Sequence, residues 1–236
     1  MDSVLSKVKG LRRLRMPFSF RFVDDSFGDG PFAMLDVGCG NHSASSTKRF
    51  FPDCEYHGID VSKDYCNDEN DFKCMSRFYE VDLTKLDFKG IPDEFFDVIL
   101  MKHILEHLHN GDRVLRGLLS KLKSGGYLYL EWPSSRSTTF PSRKGCLNFF
   151  DDPSHCRQFN MVEIRSILQQ ESLEILDSGT RHDPVAVMMT PIMVTQDRIM
   201  NGYVSGGVLW DLLGFAEFVN ARKKEKGLVP VLESPN

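Results

Sequence analysis

The sequence predicts an α/β domain built on a mostly parallel sheet with helices on both faces. Three observations carry that reading. Short apolar runs that end in an acid recur at 32–36, 55–60 and 77–82, and segments of helical periodicity separate them. A fourth run, Phe95-Phe96-Asp97-Val98-Ile99-Leu100-Met101, is apolar enough for a central strand buried on both faces.

Taken in order, Phe18 to Phe22 and the turn-rich Asp24 to Pro31 read as an extended arm and a connection. The first strand, from Phe32 to Val37, runs into Gly38-Cys39-Gly40, and Ser43 to Phe51 forms the following helix, closed by Pro52. Glu55 to Asp60 is the second strand, 63–74 holds a helix, and Arg77 to Val81 is the third strand, followed by Asp82. After the fourth strand, a helix from about Asp112 to Leu122 presents Val114, Leu115, Leu118, Leu119 and Leu122 on one face, with Gly125-Gly126 at its end. Tyr127 to Trp132 is the fifth strand, Met161 to Gln170 a helix, Leu173 to Ser178 a strand, and Phe215 to Ala221 the last strand. The stretch 133–160 is too long for a simple connection and reads as a functional loop. The methionine-rich 184–213 reads as a helical insert before the last strand, suited to roofing a pocket, forming a dimer surface or packing in the core.

With 236 residues, 41% hydrophobic and 26% charged, the chain suffices for one large globular domain. The expected organisation is a basic N-terminal arm or helix at 1–31, one domain at 32–222 and a tail at 223–236. A net charge of -4 gives no reason to expect a nucleic-acid partner. The first 22 residues are the exception: Lys7, Lys9, Arg12, Arg13, Arg15 and Arg21 face only Asp2, and Val4, Leu5, Val8, Leu11 and Leu14 interleave at helical spacing. Such a helix either lies on an anionic membrane or partner or caps the domain. There is no run of 18 apolar residues and no secretory signal pattern, and Cys39, Cys54, Cys66, Cys74, Cys146 and Cys156 show no CxxC spacing. A cytosolic protein with reduced thiols and no bound metal is expected.

The glycine loop is the informative stretch. A dinucleotide site needs a third glycine where Ser43 stands, and Asp36 just before Gly38 would repel a phosphate. A cationic ligand without phosphate, such as S-adenosylmethionine, matches that charge pattern. On Leu35-Asp36-Val37-Gly38-Cys39-Gly40, Gly58-Ile59-Asp60, Val81-Asp82-Leu83, and Phe95-Asp97-Val98-Ile99 with Leu105-Glu106-His107-Leu108, the chain from about Phe32 to Gly179 resembles the class I S-adenosylmethionine-dependent methyltransferases. The resemblance implies that family's Rossmann-like three-layer sandwich, seven strands with the last antiparallel. It also implies a cofactor site: Asp36, Gly38, Cys39 and Gly40 around the methionine moiety, Asp60 and Val61 at the ribose, Asp82 and Leu83 at the adenine, and Lys102 and His103 near the transferring methyl. Ser43 in place of the usual third glycine departs from the family pattern.

Two histidine clusters remain. His103-Ile104-Leu105-Glu106-His107 matches H-x-x-E-H, a zinc-peptidase pattern, but that motif belongs on a long helix rather than directly after a buried strand. Asp152 to Phe159 resembles the Asp-x-x-His-x-Arg-x-Phe segment of small-molecule and glycan-modifying members, which makes His155 the first candidate base and His103 the second. The competing reading is that His155 ties down the loop. Arg157, Tyr203 and Trp210 are the candidate substrate contacts. The expected function is methyl transfer to a small molecule or glycan, to oxygen; the alternatives are a noncatalytic cofactor- or partner-binding protein of the same fold and a nicotinamide-dependent oxidoreductase.

Overall fold

The computed structural model describes residues 12–63 and 67–225. The expected basic helix is therefore covered only from Arg12 onward, and the tail only to Glu225. The elements are α1 (Phe18–Phe27), β1 (Ala33–Val37), α2 (Ser43–Phe50), β2 (Glu55–Asp60), α3 (Glu69–Cys74), β3 (Arg77–Glu80), β4 (Phe96–Lys102), α4 (Gly111–Leu119), β5 (Leu122–Pro133), α5 (Met161–Gln170), β6 (Leu173–Thr180), α6 (Pro184–Asn201), α7 (Trp210–Leu213) and β7 (Ala216–Lys223). The strands form one sheet in the order β3-β2-β1-β4-β5-β7-β6. Neighbours pair in parallel except β7, which runs antiparallel to both β5 and β6.

Alternation along each strand divides the core between the two faces of the sheet. Leu35, Val37 and Ile59 pack on one face with Val114, Leu115 and Leu118 of α4 and Ile164, Ile167 and Leu168 of α5. Met34 and Tyr56 pack on the other, beneath Phe20 and Val23 of α1 and Ala44 of α2. Asp36 shares that second face by register, which sends a carboxylate into an aromatic layer.

Four elements differ from the sequence reading. Phe18–Phe27 is a helix, not an extended arm. The phenylalanines at 18, 20 and 22 mimic the period of a strand, but Phe20, Val23 and Phe27 repeat at helical spacing and dock on Phe51, β1 and the stacked Phe32 ring, 4.6 Å away. The pair Gly125-Gly126 does not end a helix: α4 stops at Leu119 and β5 already runs through both glycines, Gly125 at φ +77. The insert is broken into α6, a 3-10 turn at Gly206–Leu209 and α7, because Gly202 in the left-handed region ends α6. Finally, β7 extends to Lys223, which places that residue in the sheet rather than in a tail.

No helix among the described residues is long and apolar enough to cross a membrane.

Candidate active site

The sheet order reverses between β1 and β4, so the crevice at the carboxyl ends of these strands is the topological switch point where α/β sheets take ligands. A cavity of about 280 Å³ opens there, with Gly38, Asp60, Val61, Asp82 and Leu83 on one side and Ile104, His107 and Leu108 on the other. The Gly38 and Cys39 N–H groups both donate to the Ile59 carbonyl, at 2.9 and 3.0 Å, which bends the chain sharply after β1. Gly38 sits at φ +76, and a Cβ there would run into the Ile104 side chain. Asp60 holds this turn: its Oδ2 accepts from Gly40 N–H (3.2 Å) and its Oδ1 from Val61 N–H (2.7 Å). Asp82 accepts from the Thr84 N–H (3.0 Å) and hydroxyl (2.6 Å), capping the 3-10 turn Leu83–Lys85. Behind the loop, Tyr56 donates its hydroxyl to Asp36 Oδ2 at 2.7 Å, while Asp36 Oδ1 is buried without a hydrogen-bond partner. Burial raises the Asp36 carboxyl above its ordinary range, a push that the nearby Lys102 charge opposes. The Cys39 side chain is fully buried against Gly58, away from the cavity.

His103, just past β4, takes the left-handed conformation at φ +53 and lies between two buried carboxylates. Its Nδ1 meets Glu106 Oε1 at 3.1 Å and its Nε2 meets Glu131 Oε1 at 2.9 Å. Burial alone would pull the imidazole down, but the two carboxylate hydrogen bonds outweigh it and hold it up at about 9. Burial pushes the other way on Glu131, yet His103 and the Arg181 guanidinium hold that carboxyl down at about 2. Arg181 reaches Glu131 at 2.6 Å and pairs with both oxygens of Asp211 at 3.0 and 2.9 Å. Trp210 packs on Phe215 (4.4 Å) and on His103 (5.0 Å), and its Nε1 donates to the Cys146 carbonyl. With both ring N–H groups donating, to Glu106 and to Glu131, His103 has no lone pair with which to take a proton.

The long loop is anchored rather than free. Asp151 gathers the Arg143, Leu147 and Asn148 N–H groups and the Ser142 hydroxyl, which drive its carboxyl far below the usual range despite the opposing effect of burial. The strand of loop after His155 is strapped to the 3-10 turn Leu105–His107: the Cys156 and Arg157 N–H groups both donate to the Glu106 carbonyl. His155 donates from Nδ1 to the Phe149 carbonyl at 2.6 Å and packs 4.8 Å from the His107 ring. Arg157, expected as a substrate contact, pairs with Asp112 and Glu163, both at 2.5 Å, and lies over the Phe159 ring. Tyr203, the second expected contact, sits beside the Lys144 ammonium. Lys102 places its ammonium over the Phe20 ring.

A family model described as a methyltransferase domain matches residues 11–178. The chain belongs to that family. It is 31% identical over 159 residues to a mitochondrial ubiquinone biosynthesis O-methyltransferase of Candida albicans, covering 63% of this chain and 49% of that protein. It is 24% identical over 151 residues to the uncharacterized methyltransferase YcgJ of Bacillus subtilis, covering 61% and 58%. The match thus spans about half the length of these curated relatives. Among solved structures, an S-adenosylmethionine-dependent methyltransferase of Archaeoglobus fulgidus superposes with a TM-score of 0.52 at 19% identity, over 90% of this chain and 97% of that one.

The cofactor of the family is S-adenosylmethionine, and the site fits it. The cavity offers apolar walls in Ile59, Val81, Ile104 and Leu108 and carboxylates along one edge, with no cation among its lining residues to favour a phosphate. The Asp36 carboxyl, steadied by the Tyr56 and Ser43 hydroxyls, is an acceptor suited to an ammonium group. Glu131 and Arg181 are the polar partners of the His103 cluster that sequence reasoning missed. The acid at the end of β5 had no glycine or second acid to mark it, and Arg181 meets it only because β7 lies between β5 and β6.

Proposed function

We propose that this methyltransferase-family chain moves the methyl group of S-adenosylmethionine to an oxygen of a small-molecule or glycan acceptor. The observation that carries the reading is the cavity at the switch point, edged by Asp60 and Asp82, with Asp36 buried at the base of the glycine loop. In this reading Asp60 accepts from the two ribose hydroxyls with its remaining lone pairs, Asp82 and the Leu83 backbone meet the adenine edge, and Asp36 takes the ammonium. Gly38 keeps the loop bare enough for the methionine moiety to approach. Transfer forms the O–CH3 bond as the S–CH3 bond breaks, the sulfonium charge is discharged, and the hydroxyl proton leaves to solvent. The chain contributes mainly positioning. His103 serves as a positioning residue, its ring fixed between Glu106 and Glu131 beneath Trp210. The name of the Candida albicans relative, an O-methyltransferase, supports oxygen as the accepting atom.

Calorimetric titration with S-adenosylhomocysteine, S-adenosylmethionine and nicotinamide cofactors tests the cofactor half. Binding of the first two and not the third is expected, and Asp60→Ala is expected to lose it while keeping its circular dichroism spectrum. Retained affinity in Asp60→Ala overturns the assignment of the cavity. Methyl transfer to hydroxylated small molecules and glycans then separates an enzyme from a cofactor-binding protein of the same fold.

A further inference from the structure

Glu106, His107 and His155 form a cluster that the cofactor reading leaves unused. One carboxylate oxygen of Glu106 and one ring nitrogen of each histidine lie within 4.8 Å of one another. Glu106 is 1% exposed; its Oε1 is taken by His103, and its Oε2 is buried with no hydrogen-bond partner. A buried polar oxygen left without a partner is costly.

The hydrogen bonds around the two histidines set their tautomers. A carbonyl can only accept, so His155 carries a proton on Nδ1, facing Phe149, while its Nε2 makes no hydrogen bond and stands 4.0 Å from Asp152 Oδ2. The Ser154 hydroxyl donates to Asp152 at 2.5 Å, so at 2.9 Å it accepts from His107 Nδ1, which leaves the lone pair of His107 on Nε2. A ring proton held by a carbonyl or hydroxyl while the other nitrogen stays open is the arrangement of metal-bound histidines. The backbone is braced to match: Glu106 and His107 are adjacent on one 3-10 turn, and the chain just after His155 is tied to the Glu106 carbonyl by two N–H groups, at 2.8 and 3.2 Å.

We propose that Glu106, His107 and His155 bind a divalent transition-metal cation, zinc first among them, at the rim of the cofactor cavity. Two imidazoles and one carboxylate suit such an ion rather than magnesium or calcium, which prefer all-oxygen sets. Tetrahedral zinc holds nitrogen and oxygen ligands roughly 3.4 Å apart, so the cluster closes on it by side-chain shifts of about an ångström. Three protein ligands leave a position open. His107 also lines the cofactor cavity, so the ion would sit at its edge. At the open position the ion would take an oxygen donor and, were that donor an acceptor hydroxyl, would make it easier to ionise. This last role rests on the proposed methyl transfer; the binding of the ion does not. The assignment also departs from the sequence expectation of no metal, which weighed His103, not His155, as the companion of Glu106 and His107. In the fold His103 turns to Glu131 instead.

The test uses the purified full chain, stripped with chelator and titrated with Zn2+ and Co2+ in the absence of any cofactor or acceptor. One ion per chain is expected, with visible Co2+ absorption of a site containing imidazole nitrogen. His107→Gln and His155→Gln are each expected to weaken binding by more than the roughly 10–100-fold that loss of an outer hydrogen-bond partner costs. The second possible cluster, His42 with Asp68 and Asp71, gives the control: there Asp71 already serves a helix cap, and His42→Gln is expected to leave the titration unchanged. No stoichiometric uptake, or uptake unchanged in both histidine variants, overturns the proposal; Glu106→Gln with an intact circular dichroism spectrum and lost Co2+ absorption supports it. Uptake of the ion by a chain that fails to bind S-adenosylhomocysteine leaves the metal site standing and removes the methyl-transfer reading.

Discussion

Both oxygens of the Asp60 carboxylate already accept a backbone N–H, so the acid that ends β2 shapes the glycine loop and still keeps lone pairs for a ligand. His103 is specialised differently. Held up at about 9 against an ordinary value of 6.5, it binds its proton more tightly in the folded chain than in the unfolded one. Its contribution to stability is therefore complete below about pH 6.5 and is lost as pH rises through about 9. Glu131, held at about 2 against 4.5, contributes above about pH 4.5 and loses that contribution as pH falls toward 2. The melting temperature is expected to fall between pH 7 and pH 9.5, and His103→Gln to flatten that dependence. A variant whose profile parallels the parent between those pH values would show that His103 does not carry it.

At the scale of elements, α1 and α6 make opposite use of apolar side chains. Phe20 of α1 is 3% exposed and meets Phe50 and Phe51 edge-on, at 5.8 and 5.5 Å, while Arg21 of the same helix pairs with Asp183 at the start of α6. Phe20→Ala should cost about 3–5 kcal/mol, as the loss of a buried aromatic does. In α6, Met188, Ile192, Ile199 and Met200 are all more than half exposed, and Thr190 is the helix's buried residue. Ile199→Ser should therefore change stability by no more than about 0.5 kcal/mol. Urea denaturation of both variants checks the contrast, and equal losses would mean that α6 packs against something that α1 does not. The anchored loop belongs to this scale too. Its Asp-x-x-His-x-Arg-x-Phe residues are spent largely on structure: Asp152 accepts from Ser154, Arg157 pairs with Asp112 and Glu163, and Phe159 is in the core.

For the whole molecule, the sheet places the cavity across the ends of β1, β2, β3 and β4, so a ligand there touches elements on both sides of the reversal in strand order. Binding to the folded chain alone raises its stability by about 2.7 kcal/mol at a hundred times the dissociation constant. For a chain of this size that corresponds to a rise in melting temperature of roughly 5–10 °C. S-adenosylhomocysteine at that excess is expected to give such a shift. An unshifted melt, with the ligand shown to be in excess, would mean that the folded chain does not bind it.

Much of this was legible in the residues. Strand ends announce themselves because a buried parallel strand is an apolar run and the acid or glycine that stops it breaks the run; Asp36, Gly38, Asp60 and Asp82 could each be found that way. The helix at Phe18–Phe27 could not, because its phenylalanines satisfy two periods at once and only the aromatic layer beneath it chooses between them. The direction of a side chain at a chain reversal was equally hidden. His103 and His107 are four apart in sequence and would share one face of a helix, but His103 adopts a positive φ and the 3-10 turn sends them to different partners, Glu131 and His155. By itself the sequence determined the α/β fold, the family and the strand ends that edge the cavity, since these follow from local periodicity and from residues at strand termini. Only the tertiary structure decided which titratable groups meet. Glu131 with Arg181, and Glu106 with His155, are about fifty residues apart, and such contacts are made by the order of strands and by where a long loop is strapped down.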